Sequence, residues 1–443
     1  MTDSREDEAV FGLAAPTLLR DGELVPAALV LSHTEQLDRL RAACPEAVDS
    51  AVVAGDPTHD RILAGLPWRE RYRDHLETGA RRLVLVSSTW GPTSLLGAWP
   101  GFLDTLLSEL PVDEYRVVLA LHPNVWHGHG AWQVRSWLAT AERSGLRVLP
   151  PRQGWQAALV AADHVIGDHG SVTFYGAARG THTMLAAFPH HEMADDSPVA
   201  AFGRAATRLR ADRPLLPQML ADAAGHKPDR FSAHTDLLNS VPGRSGRILR
   251  ATLYGFLNLP EPEHAPRVLP PDPPIPHRRG WPDAADTAPL WCTVLEEEDG
   301  LRVRRLPAEA VDAGRLPLDR PHLAAHADET QARWFEAACL LLCGPGSEGP
   351  REAASWERLR ARLTDHPRAH LAVAADGPDC LVVDRDGARV RLVADSRHHR
   401  ADPTAAASAY WHLWVDGRAP ERDLAVLLGE HRLAFTVHRP RGE

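Results

Sequence analysis

The sequence predicts an α/β fold: a doubly wound parallel sheet followed by a small α+β domain. Three observations carry this. Between Arg81 and Phe188, apolar runs of four to six residues alternate with amphipathic stretches, the pattern of parallel strands covered on both faces. Polar residues gather where those runs stop, and a proline-rich stretch separates this alternation from a C-terminal part rich in hairpin signals.

In chain order, MTDSREDEAV is acidic, and residues 1–26 read as a partly disordered lead with neither signal peptide nor membrane anchor. Ala27–Ser32 (AALVLS) is an apolar strand, and a helix runs from His33 to Cys44-Pro45. Ser50–Ala54 (SAVVA) is a second strand, stopped by Gly55-Asp56-Pro57, before a helix that Pro67 closes. From Arg81 the alternation is regular: RRLVLVSSTWG, EYRVVLALHPN, LRVLPP, DHVIGD and THTMLAAF are strands, and GFLDTLLSEL, AWQVRSWLATAERSG, GWQAALVAA and SVTFYGAARG are the helices between them. Further on, PGRSGRILRATLYGFLNL reads as a helix whose Leu249, Leu253, Tyr254 and Leu257 face packs inward. Its basic start could also meet an anion. The expected organisation is therefore a lead over 1–26, a doubly wound sheet domain over 27–258, a stiff linker over 259–290 and an α+β domain over 291–443.

In that last part WCTVLEEEDGLRVRRL is a hairpin around Asp299-Gly300, and ETQARWFEAACLLL reads as a helix. HLAVAADGPDCLVVDRDGARVRLVAD is a meander with turns at Asp376-Gly377 and Asp386-Gly387. DPTAAASAYWHLWVDG is a helix with Tyr410, Trp411 and Trp414 as core, and DLAVLLG pairs with HRLAFTVHR.

Composition bounds the function. A net charge of -10, with no basic stripe, argues against a nucleic-acid partner. Lys227 is the one lysine among 49 basic residues, which reads as the codon bias of a high-GC bacterial genome and makes arginine richness no evidence of phosphate binding. The scattered Cys44, Cys292, Cys339, Cys343 and Cys380 suit reduced thiols in a cytoplasm, with Cys339 and Cys343 as core residues one helical turn apart. No run approaches the ~20 apolar residues of a membrane span. In WHGHGAW, His127 and His129 beside His122 lack a nearby carboxylate, so a polar loop is expected rather than a metal site, and no cofactor is implied.

The chemistry concentrates at AADHVIGDHGS. A strand that stops in a small polar turn at the mouth of a helix leaves N–H groups pointing outward, where the helix dipole favours an anion. A plain N-cap explains Gly170-Ser171 equally well. The function reading rests on convergence: Ser88 and Thr89, His122 and Asn124, and Asp168, His169 and Ser171 all fall at strand carboxyl ends, where such sheets bind ligands.

The runs LVSSTWG, LALHPN and ADHVIGDHGSV, in this order, resemble the C-terminal, donor-binding Rossmann half of GT-B glycosyltransferase-like enzymes, most of all the CDP-glycerol glycerophosphotransferase family. They resemble the UDP-N-acetylglucosamine 2-epimerases more distantly. VVAGDPTHDRIL resembles the Gly-x-Pro-x-x-Asp run joining the two halves of these enzymes. The resemblance spans Leu29 to Phe188.

It implies a transferase using a nucleotide-diphosphate donor of the CDP or UDP type, acting on a cell-envelope polymer or secondary metabolite, with peripheral membrane contact through the acceptor. His122 and Ser171 would face the diphosphate beside Asn124, Asp168, His169 and Gly170; Ser88, Thr89 and Trp90 would line the other wall; Gly55 and Asp56 would be the hinge. The sequence departs from the family by carrying glycine at 170 where a second hydroxyl is usual. It has no His-Gly loop before Ala27 to supply a base, and the resemblance implies that 27–258 is the nucleotide-donor domain with a remnant of the N-terminal, acceptor half. The catalytic residues and the oligomeric state are left open. The alternative is a degenerate nucleotide-binding or scaffold protein lacking the acceptor half, and an epimerase is a third reading.

Overall fold

The computed structural model describes residues 12–275, 288–311, 320–344, 352–395 and 402–440. Its strands, in chain order, are β1 (Leu19–Arg20), β2 (Glu23–Leu24), β3 (Leu29–Leu31), β4 (Ala51–Val53), β5 (Arg82–Ser88), β6 (Tyr115–Leu121), β7 (Arg147–Val148), β8 (His164–Gly167), β9 (His182–Leu185), β10 (Leu290–Glu297), β11 (Gly300–Pro307), β12 (His322–His326), β13 (Leu340–Cys343), β14 (Leu371–Asp376), β15 (Asp379–Asp384), β16 (Arg389–Ala394), β17 (Asp423–Leu428) and β18 (His431–His438).

The expected parallel sheet is present, in the order β7-β6-β5-β8-β9 with every pairing parallel. Its strands are apolar at successive positions because both faces are covered. Val84 and Val86 pack with Phe102, Leu106 and Leu138 on one side, while Leu83 and Leu85 pack with Leu76 and the helix Trp155–Ala161 on the other. The chain leaves β5 toward β6 on one flank and returns to β8 on the other, so the crevice opens at the carboxyl ends of β5 and β8.

Ahead of this sheet, β3 and β4 form a separate two-stranded parallel pair, packed through Leu31, Leu40 and Ala47. The helix Pro57–Gly65 ties this pair to the rest. Asp56 caps it by accepting from the Thr58 and His59 N–H groups, and its other oxygen accepts from the Tyr175 hydroxyl at 2.6 Å. Asp60, buried, accepts from the Gly243 and Ser245 N–H groups at 2.6 and 3.1 Å and from the Ser245 hydroxyl. The helix Ser245–Leu257 thus does meet an anion, and it is Asp60.

The expected inward face of that helix is corrected. Leu253 and Leu257 are 59% and 64% exposed, because the helix is fastened through its first turn and its later turns stand clear of the core. The proline-rich stretch is equally instructive. Its described part, residues 259–275, has neither helix nor strand but lies against the sheet domain, where the Tyr72 hydroxyl donates to the Pro271 carbonyl at 2.7 Å. Residues 276–287 of the expected linker fall outside the described residues, and its last position, Leu290, already opens β10.

The C-terminal part is not a small α+β domain but a closed nine-stranded barrel, β10-β11-β17-β18-β16-β15-β14-β13-β12. The hairpin, the meander, the helix and the last pair sit where the sequence puts them. Two strands escape it. Leu340–Cys343 reads as the end of a helix, yet only Ala332–Phe335 is helical there; LLLC pairs in parallel with β12 and β14, where both faces are covered and no alternation marks a strand. Cys339 and Cys343 are therefore not one helical turn apart.

The helix Ala405–Val415 occupies the barrel interior: it touches β10, β11, β15 and β17, and Ala405 to Trp411 are all buried. A helix buried on every side must be apolar all round, and its alanines let it fit. Tyr410 and Trp411 are core, as expected, and Trp414 packs against them.

The barrel docks on the amino end of the sheet, opposite the crevice. Arg305 on β11, 3% exposed, donates to Asp113 at 2.7 Å, to Asp402 at 2.9 Å and to the Thr404 hydroxyl at 3.0 Å. Arg143 bridges to Glu309 and Glu329 at 2.9 and 3.0 Å. Removing Asp113 leaves the buried Arg305 with the half-exposed Asp402 as its one remaining carboxylate partner, so Asp113→Ala should cost about 3 kcal/mol in denaturant unfolding. A loss below about 1 kcal/mol would show the joint to be solvated.

At the amino ends of β8 and β9, His164 and His182 share one proton between Nδ1 atoms 2.8 Å apart, and His182 Nε2 donates to Asp222 at 3.0 Å. Burial, and then His182, push the His164 pKa down to about 4. A depressed histidine pKa means that the unfolded chain takes up the proton first. The stability this group contributes is thus complete above pH 6.5 and lost as pH falls from 6.5 toward 4, by about 3 kcal/mol in all. Urea unfolding at pH 7 and pH 4.5 should show a steeper loss for the native chain than for His164→Gln; equal slopes would place the titration elsewhere.

Candidate functional site

The crevice is built around Asp168, the residue after β8, which is fully buried. One carboxylate oxygen accepts from the Thr89 N–H, the Thr89 hydroxyl and the Leu95 N–H, each at 2.8 Å; the other accepts from the Gly170 N–H at 3.0 Å. These donors come from the loop after β5 and the turn after β8, so a single carboxylate fixes the two loops against each other.

Gly170 is needed for this closeness. A Cβ there would lie 2.7 Å from Thr89 Cγ2 and 3.1 Å from Asp168 Oδ1. The glycine that departs from the family's second hydroxyl is thus dictated locally by Thr89.

Ser88 also works from behind the wall. It is buried, donates to the Thr89 carbonyl at 3.2 Å and accepts from the Leu96 N–H at 3.2 Å. Of the expected site residues, Ser88, Thr89 and Asp168 have their polar groups committed inside the protein. Trp90, His122, Asn124, His169, Gly170 and Ser171, and Asp56 at the expected hinge, have exposed or half-exposed surface.

His122 caps the helix Pro123–His129: its Nδ1 accepts from the Asn124 N–H at 3.1 Å. That bond fixes the neutral ring's proton on Nε2, which becomes a donor for a ligand. Burial lowers the His122 pKa, opposed by the charge of Asp168, so the neutral form prevails at neutral pH. Trp90, half-exposed, lies against the ring at 4.1 Å between centroids, tilted by 35°. Asn124 is exposed beside it.

Across the crevice, the helix Ser171–Ala178 begins at Gly170 with no side-chain cap. The sequence makes Ser171 the capping hydroxyl; the structure puts it one place later, as the first helical residue, with its side chain exposed. The Thr173 and Phe174 N–H groups already bond the Gly170 carbonyl, and those of Ser171 and Val172 are left to face outward. His169 Nδ1 is buried without a partner among the described residues.

Gly55, with φ +79°, packs against Asn239 and Val241, and Asp56 links the β3–β4 pair to this same helix through Tyr175. That latch between the upstream pair and the crevice helix is a feature sequence reasoning missed; the Tyr175 and Asp56 side chains are 119 positions apart in the chain. Among the described residues no three histidine, cysteine or acidic side chains cluster as metal ligands, and no helix is long and apolar enough to cross a membrane.

No family model matches the sequence, and no curated protein matches it. Among solved structures, the chain is similar to the wall teichoic acid polymerase TagF (15% identity, 52% of this chain and 58% of that one, TM-score 0.38). It is also similar to a protein assigned as a UDP-N-acetylglucosamine 2-epimerase from Listeria monocytogenes (14%, 54% and 62%, 0.33) and to a glycosyltransferase from Rickettsia africae (12%, 52% and 63%, 0.30). The chain spans less than two thirds of the length of each.

Because Asp168 satisfies the Thr89, Leu95 and Gly170 N–H groups at once, Asp168→Ala should lower stability by at least about 3 kcal/mol, the sum of several unmet buried donors. Thermal and urea unfolding measure this; a loss under about 1 kcal/mol would show that the loops hold without it.

Proposed function

We propose that the chain is a transferase that takes a nucleotide-diphosphate-activated donor, of the CDP-glycerol or nucleotide-sugar kind, and that the crevice receives the diphosphate. The observation that carries this is the pair of facing donor sets: the free Ser171 and Val172 N–H groups with the Ser171 hydroxyl, and the Nε2–H of neutral His122. They stand at the ends of strands two places apart in the sheet, a separation of roughly 10 Å.

Departure of a nucleoside diphosphate needs charge neutralised on the leaving oxygens. A helix N-terminus, a hydroxyl and an imidazole N–H supply that without a metal. The half-exposed face of Trp90 gives a ring a surface to stack on. On this reading the acceptor is a cell-envelope polymer or secondary metabolite, the enzyme is bacterial and cytoplasmic, and contact with a membrane runs through the acceptor.

A second reading, a nucleotide-binding scaffold without turnover, draws on one feature. Asp168 is bonded to four donors and has no free oxygen to act as a base.

CDP or UDP should bind in the micromolar to millimolar range by titration calorimetry and raise the melting temperature, as a ligand specific for the folded state must. His122→Ala should weaken binding with little effect on stability. Ser171→Asp places a carboxylate in the helix's first turn, which suits the dipole and repels a diphosphate, so affinity should fall while stability holds or rises slightly. Unchanged affinity in both variants would move the nucleotide elsewhere, and no binding by the native chain would end the proposal. Binding without transfer to any acceptor would favour the scaffold.

A further inference from the structure

Away from the crevice, the end of the helix Leu215–Ala224 and the loop after it form an open surface pocket of about 360 Å³ lined by Asp222 and the exposed Ala221, Gly225, Lys227 and Arg230. Through Asp222 and His182 it adjoins the amino end of β9, whereas the crevice lies at the carboxyl ends. The volume is in the range of small-molecule sites and exceeds what a bare tetrahedral ion fills.

One of the pocket's two cations is held in place, and the other, Lys227, is exposed. Arg230 donates from Nη1 to both Asp222 oxygens at 3.0 and 2.9 Å and from Nη2 to the Thr207 hydroxyl at 3.0 Å, and its guanidinium lies 5.0 Å over the Phe231 ring. It is thus immobilised, with its Nε–H and an outer Nη hydrogen unspent. The Asp222 carboxylate, which would otherwise repel an anion, is already met by Arg230, His182 and Thr207 at 2.5 Å. The positive charge of Lys227 is then in excess among the lining groups.

Lys227 is also the one lysine of the chain. Its ammonium is a compact, freely rotating point charge of the kind that binds phosphate.

We propose that this pocket is a second ligand site, for a small phosphomonoester: Lys227 and Arg230 hold the phosphate, and the wall at Ala221 and Gly225 takes the organic part. The proposal is independent of the donor reading of the crevice.

The single lysine makes the test direct. Reductive methylation with ¹³C-formaldehyde labels Lys227 and the chain's α-amino group alone, keeps the positive charge, and gives a signal at the pocket that is absent in Lys227→Arg. Titration with glycerol 3-phosphate should shift that signal saturably, with a half-point in the low millimolar range or tighter, and inorganic phosphate should need a several-fold higher concentration.

Sodium chloride at matched ionic strength should give no saturable shift. In unlabelled protein, glycerol 3-phosphate should raise the melting temperature of the native chain, of Lys227→Arg and of His122→Ala, but not of Lys227→Gln. A shift reproduced by sodium chloride, or none with glycerol 3-phosphate, overturns the site. Equal half-points for the two phosphates identify a bare ion as the ligand and overturn the phosphomonoester. A melting response retained in Lys227→Gln places the ligand elsewhere.

Discussion

The architecture turns on one buried carboxylate. Asp168 sits at the switch point of the sheet, where the chain's two directions of winding part, and its oxygens gather donors from the loop after β5 and the turn after β8. Everything facing the crevice inherits its position from this. Trp90 follows the clamped Thr89, the helix Ser171–Ala178 starts at the residue after the clamped Gly170, and His122 is held by its own backbone bond to Ser88 at 3.0 Å. A buried charge that satisfies only backbone and hydroxyl donors is costly to lose, and so it fixes geometry rather than offering chemistry.

This division of labour explains how much of the site was legible. The clustering of polar residues at strand ends was visible because an apolar run and its sudden stop are visible. Which of those residues face out was not: Ser88, Asp168 and Ser171 are equally small and polar in the sequence, but the first two are consumed within the protein and the third is exposed. Gly170 reads as a missing hydroxyl, while its cause, the Thr89 methyl, lies 81 positions earlier in the chain.

The sheet itself was readable strand by strand, since each strand lies between helices with clear periodicity. The barrel was harder for a physical reason. LLLC is covered on both faces, so it carries neither the alternation of a half-buried strand nor enough length to exclude a helix. β12, HLAAH, is short and alanine-rich and has no turn signal at its end. Missing those two leaves hairpins and a helix, which suggests a layered α+β domain. The helix Ser245–Leu257 was misjudged for the opposite reason: its apolar stripe is real, but packing, not pattern, decides whether a stripe is covered.

The helix inside the barrel has a consequence for how the C-terminal part comes into being. Ala405–Val415 lies in the chain between β16 and β17, while β11 must find β17 from the far side of that helix, and Leu301 pairs with Val426. Closure therefore waits for the last two strands, and until they are made the inward faces of the earlier ones have no lid. Ring closure thus rests on pairings between distant parts of the chain, a topology that slows folding. Loss of the final strand would not trim an edge: it would open the ring on both sides, since β18 is the piece that joins β16 to β17.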